Sequence, residues 1–374
     1  MKKVIYLRSN PIDPDPRVEK EVRALSKAGF DVTILAWDRD ADKGNKGQLI
    51  SEKKQIPIYY FSLKSNFGGG IKNIIKLARF QFYLLKKLLS LRNHYDIIHA
   101  ADFDTVIPAY FMKVLYKKKL VYDIFDFYVD AFSVPKILIK PIKKIDLGII
   151  NRADAVILAT ENRLKQIMGS NPKFIEYIHN TPEVKTELTL STLPKNRESI
   201  TLGYVGVLQP GRLLEEILNV ASRNPKIKIT LAGFGPLEES IKEKSLKYEN
   251  IVFLGKVDYS ESLKINAESD IMFATYDPTI PNHAYSSPNK LYEAMLLSKP
   301  LIVCNGTGID ELINTEKIGF TIDYSEKSFE NLLETILQDH HDLECMAKKS
   351  YALYQQRFSW SVMENRLIEM YKRL

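Results

Sequence analysis

Residues 200–238 read ITLGYVGVLQPGRLLEEILNVASRNPKIKITLAGFGPLE. Two apolar runs, 200–204 and 227–231, each open into a glycine turn, and a helical stretch lies between them. Strand, turn, helix and strand in alternation call for a parallel sheet covered on both faces. Downstream the alternation continues: strands are predicted at 251–254, 270–274 and 300–304, each followed by a helix, and 329–374 is largely helical. Upstream, residues 181–199 (TPEVKTELTLSTLPKNRES) are polar and lack clear periodicity, so the domain linker is placed there. Before it the same rhythm appears, with strands predicted at 3–7, 31–37, 56–61, 96–100, 119–123, 154–160 and 173–179. Val18, Val22 and Leu25 recur at helical spacing, and Gly29 ends that helix. The expectation is an α/β chain of two Rossmann-like, doubly wound domains, 1–190 and 199–358, whose strand C-terminal edges face a cleft.

Length and composition agree. The chain has 374 residues, enough for two domains, and its 45% hydrophobic and 26% charged shares exclude disorder. Two cysteines, Cys304 and Cys345, exclude a disulfide framework and point to a reducing compartment. No signal-peptide core follows MKKVIYLRSN and no run reaches the ~18 apolar residues of a membrane span, so a cytoplasmic protein is expected, with a peripheral seat on the inner face of the membrane as one variant. Residues 1–190 carry 32 Lys and Arg against 21 Asp and Glu, a net of +11; the remainder carries 21 against 25, a net of −4. A basic half suggests an anionic partner. Its cations cluster in 71–92 (IKNIIKLARFQFYLLKKLLSLR), 113–119 and 136–144. The first is an amphipathic helix that fits either an ordinary surface helix or attachment to an anionic membrane. Nucleic acid is disfavoured, because there is no zinc-finger spacing or RNP-like motif.

Chemistry concentrates in the second half. Residues 203–212 (GYVGVLQPGR) form a glycine turn with Arg212 opening the next helix, a place suited to phosphate. The spacing is neither a dinucleotide fingerprint nor a P-loop. Residues 285–295 (YSSPNKLYEAM) place Ser287 as N-cap and Pro288 at the first helical position, with Lys290 near the helix start and Glu293 one turn on. Such a helix start can take a diphosphate, and the carboxylate a ribose diol. Each feature alone equally fits a capped surface helix or a plain glycine turn. The turn at 232–238 (AGFGPLE), residues 255–257 and the loop 306–311 (GTGIDE) also fall at strand C-termini, and independent surface features should not all gather on one edge.

Together these stretches resemble glycosyltransferase family 4, retaining sugar transferases of the GT-B fold. The motifs carrying the resemblance are GYVGVLQPGR, AGFGPLE, PNKLYEAMLLSKPLIV and FSW at 358–360, where the helix crossing back to the first domain (359–374) would begin. The resemblance implies a nucleotide-diphosphate-sugar donor, UDP or GDP, with no metal and no further cofactor. Donor contacts would come from Gly206, Arg212, Gly233, Gly235, the backbone at Lys256 and Val257, and Ser287, Pro288, Asn289, Lys290, Leu291 and Glu293. In the first domain, residues 10–17 (NPIDPDPR), with Asp15 as N-cap and Pro16 at the first helical position, and the acidic stretches 99–104 (HAADFD) and 123–126 (DIFD) would border the acceptor, through Asn10, Asp13, Arg17, Asp102 and Asp126. Arg212 and Lys290 would neutralise the leaving diphosphate, and Asp102 would stand nearest the reacting acceptor, a glycan or lipid-linked sugar of cell-surface polysaccharide or glycoconjugate synthesis. His99 fits a buried structural histidine better than a catalytic one.

Two positions depart from the family pattern. Tyr285 stands where relatives carry the first of two paired glutamates, and Ala101 where many carry a histidine. These departures motivate a rival reading, a catalytically weak GT-B scaffold subunit in a glycan-assembly complex. A GT-B nucleotide-sugar epimerase is a third.

Overall fold

The computed structural model describes residues 1–12, 14–51, 54–65, 73–132, 134–183, 198–285, 287–338 and 343–374. Asp13, positions 71–72 of the basic segment, most of the expected linker and Ser286 lie outside the described residues. The chain divides into two compact units, Met1–His179 with Met363–Leu374, and Asn180–Val362.

The first unit is built on an eight-stranded sheet. Its strands are β1 (Lys3–Arg8), β2 (Asp31–Asp38), β3 (Lys46–Ser51), β4 (Lys54–Ser62), β5 (Ile97–Ala101), β6 (Lys119–Ile124), β7 (Ala155–Leu158) and β8 (Ile175–Tyr177). They lie in the order β3-β4-β2-β1-β5-β6-β7-β8, all parallel except the β3–β4 pair. Strand β3 was not expected, and β7 and β8 are shorter than the stretches predicted for them. The strand order reverses between β1 and β5, the place where open α/β sheets take ligands. Helix Pro16–Lys27 starts as expected: Pro16 holds the first turn and the Asp15 carboxylate accepts from the Val18 amide. Helix Ile74–Ser90 buries Phe80, Leu84 and Leu88, one residue per turn, with Phe80 5.0 Å from the Trp37 ring. Burying each of these side chains is worth ~1.5–3 kcal/mol, so this stripe holds the helix to the sheet.

The second unit is a six-stranded, wholly parallel sheet. Its strands are β9 (Ile200–Val207), β10 (Ile227–Phe234), β11 (Ile251–Phe253), β12 (Ile271–Ala274), β13 (Leu301–Cys304) and β14 (Gly319–Ile322), ordered β11-β10-β9-β12-β13-β14. Strand β14 was also unexpected. Here the order reverses between β9 and β12. The two glycine turns need glycine because backbone packs on backbone. Gly233 and Gly235 have φ of +141° and +151°, and a Cβ on either would drive into the carbonyl oxygen of Gly206 or Leu208.

Candidate functional site

At the reversal point of the second unit, the loop after β9 is tied to the end of β12. The Thr275 hydroxyl donates to the Arg212 carbonyl at 2.6 Å, and the Asp277 amide donates to the Gly211 carbonyl at 3.1 Å. Arg212 does not open the helix as expected. That helix runs Leu214–Arg223 behind a left-handed Leu213 (φ 56°), which leaves the Arg212 side chain at the sheet edge. The Arg212 guanidinium lies 3.9 Å over the Tyr276 ring, and its Nη1 is buried without a hydrogen-bond partner. Lys290 Nζ lies 4.3 Å over the Tyr204 ring and against Gly206, where a Cβ would collide with the ammonium. Desolvation lowers the Lys290 ammonium to about 8; nearby Glu293 works to raise it and Arg212 lowers it further. The fields of Arg212, Lys290 and Glu293 therefore meet, although Arg212 belongs to a segment far in sequence from the one that carries the other two.

Helix Asn289–Leu296 carries Lys290 and Glu293, and its start differs from expectation. Pro288 is the N-cap, extended at φ −68° and ψ 141°, and makes no side-chain cap bond. The Ser287 hydroxyl bonds the Tyr292 hydroxyl at 2.7 Å instead of capping. Pro288 has no N–H, and the Leu291 amide donates to the Pro288 carbonyl at 3.0 Å, so Asn289 and Lys290 provide the amides left at this helix end. The Asn289 side chain accepts from Asn180 at 2.9 Å. Glu293 is buried and bonded by the Tyr259 hydroxyl, whose own pKa is raised by burial and by that carboxylate. Lys256 and Val257 follow Gly255 (φ +67°), whose carbonyl accepts from Gly233 at 2.7 Å. This brings the third loop beside the other two.

In the first unit, the reversal point is an ion-pair network. Arg8 at the end of β1 binds Asp102 at 2.7 Å and Asp15 at 2.8 Å. Burial opposes its charge, but these two carboxylates hold the guanidinium above its ordinary range. Asp102 has φ 65°, rare for a non-glycine residue, and is held there by Arg8 and by the amides of Phe125 (2.9 Å) and Asp126 (3.2 Å). Desolvation raises its carboxyl to about 6. Asp104 is also raised to about 6, by desolvation and then by Asp102, and its Oδ1 is buried without a partner among the described residues. Behind them Arg17 donates to Glu21 (3.0 Å) and Asp123 (2.7 Å), so this guanidinium, expected beside the acceptor, is buried and already engaged. His99 is fully buried, stacked on Tyr6, 2.7 Å from the Tyr371 hydroxyl and lowered to about 4 by burial. Glu21, His99 and Asp123 are the one group among the described residues whose atoms converge as metal ligands could, and Arg17 already supplies a cation to both carboxylates. Asn10 accepts from Arg39 at 3.1 Å and Asp126 from Arg163 at 3.0 Å.

Sequence reading missed Tyr204, Tyr276, Tyr259 and Arg8. A tyrosine within a strand's last turns, as in GYVG, was the available signal for the first.

Residues 199–339 match the family model described as Glycosyl transferases group 1. No curated protein sequence matches the chain. Among solved structures, the chain is similar over its whole length to sucrose-phosphate synthase from Thermosynechococcus elongatus (16% identity, 99% of that chain covered, TM-score 0.74). It is likewise similar to Anabaena HepE in complex with UDP (19% identity, 100% of both chains, TM-score 0.73). A third is the catalytic domain of starch synthase IV from Arabidopsis thaliana bound to ADP and acarbose (16% identity, 100% of this chain and 99% of that one, TM-score 0.65). Two parallel-sheet Rossmann-like units with this similarity define the fold as GT-B.

Proposed function

We propose that the protein is a retaining glycosyltransferase of family 4 that moves a sugar from a nucleotide-diphosphate sugar to a glycan or lipid-linked acceptor in cell-surface polysaccharide or glycoconjugate synthesis. One observation carries the reading. Two cations, Arg212 with a buried unpartnered Nη1 and a desolvated Lys290 beside it, stand at the ligand-binding edge of a parallel sheet, with Glu293 the carboxylate whose field reaches Lys290. A diphosphate ester is the complement of that arrangement. Arg212, Lys290 and the amides of Asn289 and Lys290 hold the phosphates and stabilise the charge that develops on the leaving nucleoside diphosphate, without a metal. Glu293, steadied by Tyr259, accepts from the ribose hydroxyls, and the backbone at Lys256 and Val257 meets the base. UDP is the first nucleotide to test, since HepE is described with UDP, and GDP the second.

The first unit takes the acceptor, with Asp102 and Asp126 orienting its reacting hydroxyl beside Asn10. Arg17 serves there by holding Asp123 and Glu21 in place. The test is a panel of UDP-, GDP- and ADP-sugars read by thermal shift, followed by product analysis. A raised melting temperature with one nucleotide, and transfer with the anomeric configuration kept, is the expected result. Inverted product or no nucleotide response overturns the reading. Isomerised sugar without acceptor makes the protein an epimerase, and binding without turnover makes it a scaffold.

A further inference from the structure

We propose that the amino-terminal edge of the first sheet is a docking surface for an anionic phospholipid bilayer, built on two adjoining lysine-lined recesses. The first recess, of about 370 Å³, is lined by Lys113, Lys117, Lys118, Lys119, Arg152 and Lys173, with Asp154 its one acid. The second, of about 390 Å³, shares Asn151 with it and adds Lys140, Lys143 and Lys144 with no acid. Nine cations therefore face one carboxylate. Lys117 follows helix Phe103–Tyr116 and Lys119 starts β6. Arg152 lies between helix Lys136–Ile150 and β7, and Lys173 precedes β8. This is the edge opposite Arg8 and Asp102, so the recesses are separate from the acceptor side.

Lysines gather where helix C-termini point, since each helix end carries about half a negative charge. Two helix ends account for about one of these cations. Asp154 takes Lys113 and stands 3.8 Å from Lys119, and Lys118 donates to the Tyr95 carbonyl at 2.5 Å. The remaining six have no carboxylate partner among the described residues.

Charge alone would fit any polyanion; the apolar residues around it select a bilayer. Leu115 is 66% exposed, Val114 57% and Ile145 50%. Along helix Lys136–Ile150, Pro141 and Ile145 each follow a lysine, Lys140 and Lys144, that lines the second recess. A free phosphate or a nucleic-acid duplex gives exposed aliphatic side chains nothing to enter. A membrane surface takes both components, anionic headgroups against the lysines and acyl boundary against the aliphatics. Attachment of this kind is peripheral: among the described residues no helix is long and apolar enough to cross a membrane. The inference stands on this surface alone and does not depend on the transferase reading.

The full chain is sedimented with vesicles of phosphatidylcholine alone and of phosphatidylcholine with phosphatidylglycerol, across a salt series. Partitioning confined to the anionic vesicles and weakened by salt is expected. The triple variant Lys117→Gln, Lys140→Gln, Lys144→Gln lowers it on the order of 100-fold, at about fivefold per lysine. The double variant Leu115→Ser, Ile145→Ser lowers it at every salt concentration. All five side chains are exposed, so the melting temperature stays put and the nucleotide response of the second unit is unchanged. Equal partitioning to both vesicles, an undiminished triple variant, or binding to inorganic tripolyphosphate or duplex DNA with the vesicles ignored would each overturn the proposal.

Discussion

The two sheet edges handle charge in opposite ways. In the first unit three guanidiniums at this edge are answered from within: Arg8 by Asp15 and Asp102, Arg17 by Glu21 and Asp123, Arg163 by Asp126. In the second unit the cations rest on rings, Arg212 on Tyr276 and Lys290 on Tyr204, and Glu293 offsets only part of the burial that lowers Lys290. A buried charge needs compensation, and an aromatic face supplies only ~0.5–2 kcal/mol of it. The first edge is therefore an internally paired network, with more carboxylates than guanidiniums, that fixes side-chain positions. In the proposed reading the second is a binding edge whose compensation arrives with a ligand.

The sharpest way to break this contrast is a matched pair of substitutions. Arg17→Met strands Glu21 and Asp123 as buried carboxylates without their cation, and should cost about 3–5 kcal/mol of stability in a denaturant titration. Arg212→Met removes a buried unpartnered donor, and should leave stability unchanged or improve it by up to ~1 kcal/mol. The same variant should lower sugar transfer about 10²–10³-fold, the usual effect of removing one group that stabilises a developing anion. If the two variants destabilise equally, the edges do not differ in the way described.

A second test sharpens the geometry of the binding edge. Gly206→Ala places a Cβ in the space of the Lys290 ammonium, with Lys290 Cε next at 3.5 Å. The far end of a lysine can swing away, so the melting temperature should hold. The displaced charge should lower turnover on the order of 10²-fold, as a misplacement of about 1 Å does. Gly233→Ala is the control of opposite kind. Its Cβ meets the Gly206 backbone, so it should lose stability outright. A Gly206→Ala variant that melts early but turns over normally when folded would show that Lys290 does not work from that position.

How much of this was legible in the sequence depends on distance along the chain. The glycine turns, the PNKLYE helix and the alternation of strands are local patterns, and all stood in plain view. Strand β3 was hidden because, as an antiparallel edge, it buries little beyond Leu49 and Ser51. Strand β14 is four residues long and begins at Gly319, which packs on the backbone of Leu301 and so lacks a strand-like side chain. The charge networks were hidden for a stronger reason. Arg8 and Asp102 are 94 residues apart, and Arg17 and Asp123 are 106 apart, so only the strand order β1-β5-β6 brings them together. For the same reason Arg17 looked like a ligand contact when it is the core of a buried network.

The smallest effect is the most specific. With no ligand bound, burial holds the Lys290 ammonium at about 8, below its ordinary 10.5. A diphosphate beside it favours the charged form and raises that value. Binding above about pH 8 must therefore take up a proton, and affinity for nucleoside diphosphate should fall as pH rises through 8, to about tenfold weaker near pH 9 than on the plateau below about pH 7. The free protein should show the opposite slope. Its depressed pKa means that the folded state binds fewer protons than the unfolded one between about 8 and 10.5, so this group adds stability as pH rises through that window and withdraws it as pH falls. Lys290→Arg keeps the charge at every pH and should flatten both curves. Isothermal titration of UDP from about pH 7 to 9, with melting curves of the free protein over the same range, separates the two slopes. A wild-type affinity that stays level to pH 9 would place Lys290 away from the anion, and the second edge would then be as self-contained as the first.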